Sequence, residues 1–492
     1  MDNPLMPTTS QLRSLINESL DDAELDAFCL DYFPKVQNRF GRGMRKDEKI
    51  TLLLDYCRRH SLLDQLASLL SSYIEKNYSQ QKHNFESRIP KLNRTLKLQL
   101  LLYDSDKMHI MALETPRGGN PSIDVELPFS IYQLKAILKA LDVGSYIPKR
   151  FRKEHTQALD ELGLLHNKRM HRDFYKMVGQ KLYQALFSDE ILIDLKIAQS
   201  NPPAMCQLWF DPKDVMLAQF PWELIHDNNI HLLPVKFGLE ITRCINFADA
   251  PSPLKVELPL KLLFIRPRPF NDRQLPHNAE KEALLKGLQE LKSEGLLAWE
   301  ELWPPTWSAL EERLSIDAFH IIHFDGHGSY ARVCPVCGQA HYPNIDSCKM
   351  CKASMHDVQP DGYLVFEAED RQRDPVNVDE FKAVLANSQT KLVVLTSCDS
   401  GIIQGTSVFN GIAPGLIQIG IPAVVAMQGS PSADAMVSFV ERMYASLAHW
   451  KRLPEAVNDA RLAIYRYRPA CWFMPVVYLR SSDTTYGQLF SL

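Results

Sequence analysis

The 492-residue sequence shows no marked excess of either charge, no long apolar run and no dense cysteine framework. Lys and Arg number 55 against 59 Asp and Glu, a net charge of -4, which argues against a general polyanion binder and leaves only local basic patches open. The uncharged, apolar stretch 411–430 contains two Pro and four Gly and does not read as a spanning helix. The opening MDNPLMPTTS lacks the basic and apolar regions of a secretory signal, so a soluble, cytoplasmic protein is expected. No internal repeat is visible, which excludes a solenoid. What is there is globular: 45% hydrophobic and 23% charged residues, with enough length for two to four domains of roughly 100–200 residues.

Ten cysteines in so long a chain do not make a disulfide scaffold. Four form two C-x-x-C pairs, Cys334/Cys337 and Cys348/Cys351, ten residues apart within CPVCGQAHYPNIDSCKMC. In a reducing compartment this spacing supplies four thiolates for one tetrahedral Zn²⁺. Such a closed set leaves no position for water, so the zinc is expected to be structural, one per chain, in a small ribbon at 332–356. Neither pair opens a helix after a strand, as a redox C-x-x-C does.

Residues 1–78 read as a helical bundle, with apolar residues at spacings of three and four and a capping pattern at Asp21 and Glu24. A polar linker follows. Segment 95–250 begins with two alternating strands, LKLQLLLYD and KMHIMALE, then turns helical through 154–195 and reaches the strand MCQLWFD and the motif QFPWELI. The basic residues Lys149, Arg150, Arg152, Lys153, Lys168, Arg169 and Arg172 have no interleaved aromatics and read as a solvated face, so no nucleic-acid partner is expected. Segment 256–492 alternates apolar strands with amphipathic helices, the pattern of a mostly parallel sheet covered on both faces, so the fold class expected is α/β.

In such a sheet, sites form beyond the carboxyl ends of strands. Two of these ends carry reactive side chains: FHIIHFDGHG, ending in His327 and Gly328, and KLVVLTSC, ending in Cys398 before Asp399, Ser400 and Gly401. A Cys leaving an apolar strand can project into solvent, with the following amides as an oxyanion hole. A neighbouring His can hold it as thiolate and later protonate the leaving amine. On one strand His323, Asp325 and His327 would share a face, which raises a metallohydrolase reading. The order H-x-x-H-x-D-G-H departs by one residue from H-x-H-x-D-H, and no distant cluster completes a second metal, so His320 and His323 are expected to be strand residues with core hydrogen bonds.

HFDGHG, TSCDSG and the upstream PWELI together resemble the CHAT family of caspase-like cysteine peptidases, over residues 95–492. Caspase-like chains place the His roughly 50 residues before the Cys. Here the two are 71 residues apart, and removing the 25-residue insert 332–356 leaves 46. The resemblance implies a caspase-like, doubly wound catalytic domain at 256–492 and a degenerate supporting half at 95–250. It makes His327 the base, Cys398 the nucleophile, and the Gly328 and Cys398 amides the oxyanion hole. Asp325 and Asp399 would then flank the S1 pocket and favour Arg or Lys at P1. The alternative for Asp399 is a local turn role. The ribbon has no counterpart in the family core and would stand at the rim of the cleft.

The helical amino terminus, with LRSLINESLDDAELDAFCLDYF and DYCRRHSLLD, resembles bacterial death-like, effector-associated domains. That likeness implies a protein partner, met through like or unlike domains of the same kind, and a regulated immune or cell-death effector acting on protein substrates. Two plainer alternatives stay open. The bundle could simply pack on the peptidase, and the peptidase fold could be a catalytically silent adaptor.

Overall fold

The computed structural model describes residues 22–41, 43–60, 94–143, 151, 153–167, 169–200, 204–211, 216–233, 238–245, 259–270, 278–341, 345–358, 361–386, 388–396, 412–429, 431–467, 470–480 and 487–490, with 9, 12–13, 16–17, 20, 62–63, 65–66 and 69–70. The chain divides into two units, Met1–Leu92 and Asn93–Leu492.

The first unit is helical, as its three-and-four apolar spacing requires, with helices Asp22–Tyr32, Pro34–Gln37 and Lys46–Arg59. Leu25, Phe28 and Cys29 meet Ile50, Leu53, Leu54 and Cys57 in its core. Lys49 is buried among them, its ammonium 3.0 Å from Asp22 and 2.8 Å from Asp26. A buried ammonium is tolerable only when paired in this way. Asp21, half of the expected capping pattern, lies outside the described residues.

In the second unit the chain runs through strands β1 (Thr95–Asp104), β2 (Lys107–Glu114), β3 (Ser122–Glu126), β4 (Leu165–His166), β5 (Arg169–Met170), β6 (Ala204–Phe210), β7 (Leu239–Ile245), β8 (Leu260–Ile265), β9 (Leu297–Glu301), β10 (Ile321–Phe324), β11 (His327–Val333), β12 (Ala340–His341), β13 (Asp361–Glu367), β14 (Arg373–Asn377), β15 (Leu392–Leu395), β16 (Ala423–Met427) and β17 (Pro475–Arg480). Eleven of them form one sheet in the order β3-β2-β1-β6-β7-β17-β16-β15-β10-β8-β9. Seven of its ten neighbouring pairs are parallel. The expected α/β class with a mostly parallel sheet is the one found.

The segments on either side of 250 share this sheet. The last strand, β17, lies between β7, to which it is parallel, and β16, to which it is antiparallel. At that seam Arg243 of β7 stands opposite Tyr478 of β17. Its guanidinium holds the buried Glu223 of the PWELI motif bidentately, Nε to Oε1 at 3.1 Å and Nη2 to Oε2. Gln428, just past β16, donates to Glu223 Oε2 at 2.9 Å and accepts from Arg243 Nη2 at 3.1 Å. The apolar part of the motif is equally buried: Trp222 is fully enclosed, with its indole N–H donating to Leu217 O at 2.9 Å.

Local departures from the sequence reading have local causes. The helical stretch expected through 154–195 is broken by the β4–β5 hairpin, where Gly163 and Asn167 take left-handed backbone at φ 67° and 50°. FHIIHFDGHG is not one strand: β10 stops at Phe324, and β11 starts at His327 in a second sheet with β12, β13 and β14. Gly326 makes that turn, since a Cβ there would lie 2.6 Å from the Phe324 ring. Of the basic cluster, Lys149, Arg150, Arg152 and Lys168 lie outside the described residues.

The seam yields a stability prediction. Arg243→Ala leaves the Glu223 carboxylate buried without its partner, and removing one member of such a pair costs roughly 3–5 kcal/mol. Urea unfolding of the full chain should show that loss. A change below about 1 kcal/mol would mean the pair does not hold the seam.

Candidate active site and metal centre

β10 and β15 are parallel neighbours in the eleven-stranded sheet, with Phe324 in register with Leu395. Both strands are buried along their length. Beyond the β10 end the chain turns at Asp325 and Gly326, and His327 opens β11, buried, with its backbone in register with Val365 of β13. Gly328 is the next residue of that strand, in register with Leu364. Beyond the β15 end only Thr396 is described; Cys398 and Asp399 lie outside the described residues. In sequence, His327 and Cys398 are each three residues past a member of the Phe324–Leu395 pair.

The three groups that alternation would put on one face are separated by the turn. His323 stays on β10, wholly buried, with Nε2 2.8 Å from Glu280 Oε1 and Nδ1 2.8 Å from the Tyr444 hydroxyl. Burial pulls it down to about 4 against a weak opposing pull from Asp325, so its imidazole is neutral. Asp325 is buried too, and its carboxylate is held by Arg268: Nη2 donates to Oδ2 at 2.8 Å and Nη1 to the backbone carbonyl at 2.6 Å. Burial and the nearby Glu280 nonetheless push Asp325 up to about 6. The Asp325 carboxylate, expected from the sequence to flank a substrate pocket, is thus already engaged by a guanidinium of the same chain. His320 Nδ1 accepts from the Lys261 amide at 3.0 Å, a structural contact.

Strand β11 runs from His327 at one end to the cysteine-rich insert at the other. There Cys334, Cys337, Cys348 and Cys351 bring their Sγ atoms within 4.8 Å of one another. The pairs Cys334–Cys351 and Cys337–Cys348 are 3.5 Å apart, close to the edge of about 3.8 Å that a tetrahedron with Zn–S bonds near 2.3 Å requires. Each knuckle closes on a left-handed residue four past its first cysteine, Gly338 at φ 69° and Lys352 at φ 62°. At Cys348, burial raises the thiol, but the Cys351 and Met350 amides and His341 outweigh it and bring it down to about 5. His341 Nε2 lies 3.1 Å from that sulfur. Four sulfurs at these separations fit a metal ion such as zinc.

Several residues around these centres escaped the sequence reading. Glu280, Thr396, Tyr444 and Arg268 come from four separate elements and carry no local motif. His341 had a usable signal, since it lies between the two knuckles. The β13–β14 hairpin that supports β11 was also missed, although GYLVFE is a short apolar run rich in strand-forming residues and the turn after it is polar.

A family model described as the CHAT domain matches residues 176–478, and one described as effector-associated domain 7 matches residues 12–72. No curated protein matches the chain. Among solved structures it is similar to the separase–securin complex of Saccharomyces cerevisiae, at 12% identity and a TM-score of 0.41, over 96% of this chain and 37% of that one. It thus spans little more than a third of that chain. It is also similar to the Arg-specific cysteine proteinase gingipain R, at 11% identity and a TM-score of 0.35, over 62% of this chain and 67% of that one. With more than half of its length matched, the chain belongs to the CHAT family, and it carries an effector-associated domain at its amino terminus.

Proposed function

We propose that the chain is a caspase-like cysteine endopeptidase working through Cys398 and His327, recruited by its amino-terminal domain as a regulated effector of bacterial immunity or cell death. The observation that supports this reading is the register of β10 with β15, since His327 and Cys398 each follow, by three residues in sequence, one member of the Phe324–Leu395 pair of these adjacent parallel strands.

In this mechanism the Cys398 sulfur attacks the peptide carbonyl carbon while its proton passes to the His327 imidazole. The Gly328 and Cys398 amides receive the oxyanion. The intermediate collapses with cleavage of the C–N bond, and the imidazolium gives its proton to the departing amine. Water then attacks the thioester, again deprotonated by His327, and the acid product leaves as the thiol is restored. Asp325 and Asp399 are the pocket carboxylates of the proposal. Because Arg268 already occupies Asp325, selection of Arg or Lys at P1 rests mainly on Asp399.

The insert would hold one structural zinc on Cys334, Cys337, Cys348 and Cys351, folding a segment too short to bury a core of its own. Among the described residues no helix is long and apolar enough to cross a membrane, in keeping with a cytoplasmic effector. Its partner would be another effector-associated or death-like domain, of the same or a different kind, and its substrate a protein.

The dyad is tested by mutation. Cys398→Ala and His327→Ala should each lower peptide cleavage by several orders of magnitude with the fold unchanged by circular dichroism. Cleavage near the parental rate in either would end the assignment, and parental silence under clustering would favour the adaptor. Metal analysis of the purified chain should give about one zinc per chain, and Cys334→Ser should lose it. A folded, metal-free sample would assign the cysteines another task. Finally, substrate-library profiling should show a basic P1 preference that weakens in Asp399→Asn; an apolar preference unaffected by that change would remove Asp399 from the pocket.

A further inference from the structure

The proposed reaction makes no use of the buried polar cluster beneath the ends of β10 and β15. Its centre is Glu280, in the first turn of the helix Ala279–Gly287. That helix packs close against the helix Ala433–Ala448, where a Cβ on Gly287 would lie 2.6 Å from Glu441 O. Glu280 Oε1 accepts from the Thr396 hydroxyl and stands 2.8 Å from His323 Nε2, while Tyr444 closes the other side of the imidazole. Thr396 is fastened twice more: its amide donates to Phe324 O at 3.1 Å, and its hydroxyl lies 3.2 Å from the same carbonyl. The helix Ala279–Gly287 and β10 thus converge on Thr396, two positions before Cys398 in sequence.

A network of this kind is an odd choice for stability alone. Buried polar groups cost free energy unless every one is satisfied, and an apolar replacement of similar shape is often as stable or more so. With Glu280 ionised, one arrangement satisfies the carboxylate, the imidazole and both hydroxyls together. An ionised Glu280 accepts from the His323 Nε2–H and from the Thr396 O–H, while His323 Nδ1 accepts from the Tyr444 O–H. Both donors meet on Glu280 Oε1, and the Thr396 hydroxyl is held toward that carboxylate.

We propose that Glu280, buttressed by His323 and Tyr444, is a positioning residue that holds Thr396 and thereby aims the chain entering Cys398. The proposal rests on Cys398 being the nucleophile. It adds a dependence on pH. The groups facing Glu280 are His323 and Asp325 from β10 and its turn, Thr396 past β15, Tyr444 from the packed helix and Arg268 past β8. Burial, only partly offset by the Thr396 hydroxyl and by Arg268, pushes Glu280 up to about 7. His323, held near 4, does not take that proton first. Once protonated, the Glu280 carboxyl competes as a donor, and the Thr396 hydroxyl turns toward the Phe324 carbonyl. Activity should therefore fall as pH drops through about 7, for a reason separate from the dyad itself.

The test uses the full chain and two readouts, alkylation of Cys398 by iodoacetamide resolved by mass spectrometry, and kcat and KM on a cleaved peptide. Glu280→Gln and Thr396→Val should each slow alkylation and lower kcat by about 10- to 100-fold, with KM little changed. Thr396→Ser should recover most of the loss seen in Thr396→Val, and the acid limb set by Glu280 should be absent in Glu280→Gln. Should Glu280→Gln fail to fold, the Thr396 pair carries the test alone. If Cys398 is essential but Thr396→Val and Thr396→Ser behave alike, or Glu280→Gln keeps the parental pH profile, the positioning role is wrong and the dyad stands. If Cys398→Ala still cleaves, both fall.

Discussion

The buried ion pair between Glu223 and Arg243 is the constraint on which the larger unit depends. It lies where two sets of parallel strands, running in opposite senses, are joined through β17. Arg243 binds Glu223, reaches the Ala218 and Phe220 carbonyls and the Tyr478 hydroxyl, and shares Gln428 with Glu223. One guanidinium therefore ties together the PWELI segment, β7, β17 and the end of β16. In so apolar a setting two ions repay their desolvation only if geometry is good and the remaining polar atoms are also satisfied. Here they are, and the pair specifies one way of assembling the sheet. The strands that carry the candidate site follow from it, because β15 lies against β16 and β10 against β15.

A second buried network lies at the other end of the argument, under the strand tips. Both networks are made of polar groups in a layer that hydrophobic residues could fill, and both fix geometry more than they add stability. They differ in what they hold. The first sets strand order; the second, around Glu280, sets the last residue before the segment that contains Cys398. The two-ended strand β11 adds a further mechanical link, since the same seven residues start at His327 and end beside Cys334. Folding of the metal knuckles and placement of the imidazole therefore share one rigid piece of backbone, itself clamped by β13.

Much of this architecture was legible in the sequence because it is written in local patterns. Alternation in LKLQLLLYD and KMHIMALE gave the β1–β2 hairpin, continuous apolar runs gave β8, β10, β15 and β16, and the C-x-x-C spacing marked the four cysteines that could hold a metal ion. What stayed hidden depended on distant pairing. The ending of β10 at Phe324 is decided by Gly326 pressed against a ring, not by hydrophobicity, so His323, Asp325 and His327 fall into three environments instead of one face. Asp325 reads as an available carboxylate until Arg268, 57 residues earlier, is found on it. Glu280 and Thr396 are 116 residues apart and meet only through the packing of helix on sheet.

The central claim is that Cys398 is a nucleophile served by His327, and covalent capture tests it most directly. A peptide carrying an electrophilic ketone in place of the scissile bond, incubated with the full chain and followed by peptide mapping, should leave a single adduct on Cys398. The same adduct should be absent in His327→Ala. An adduct on another cysteine, or equal labelling of Cys398 with and without His327, would contradict the account.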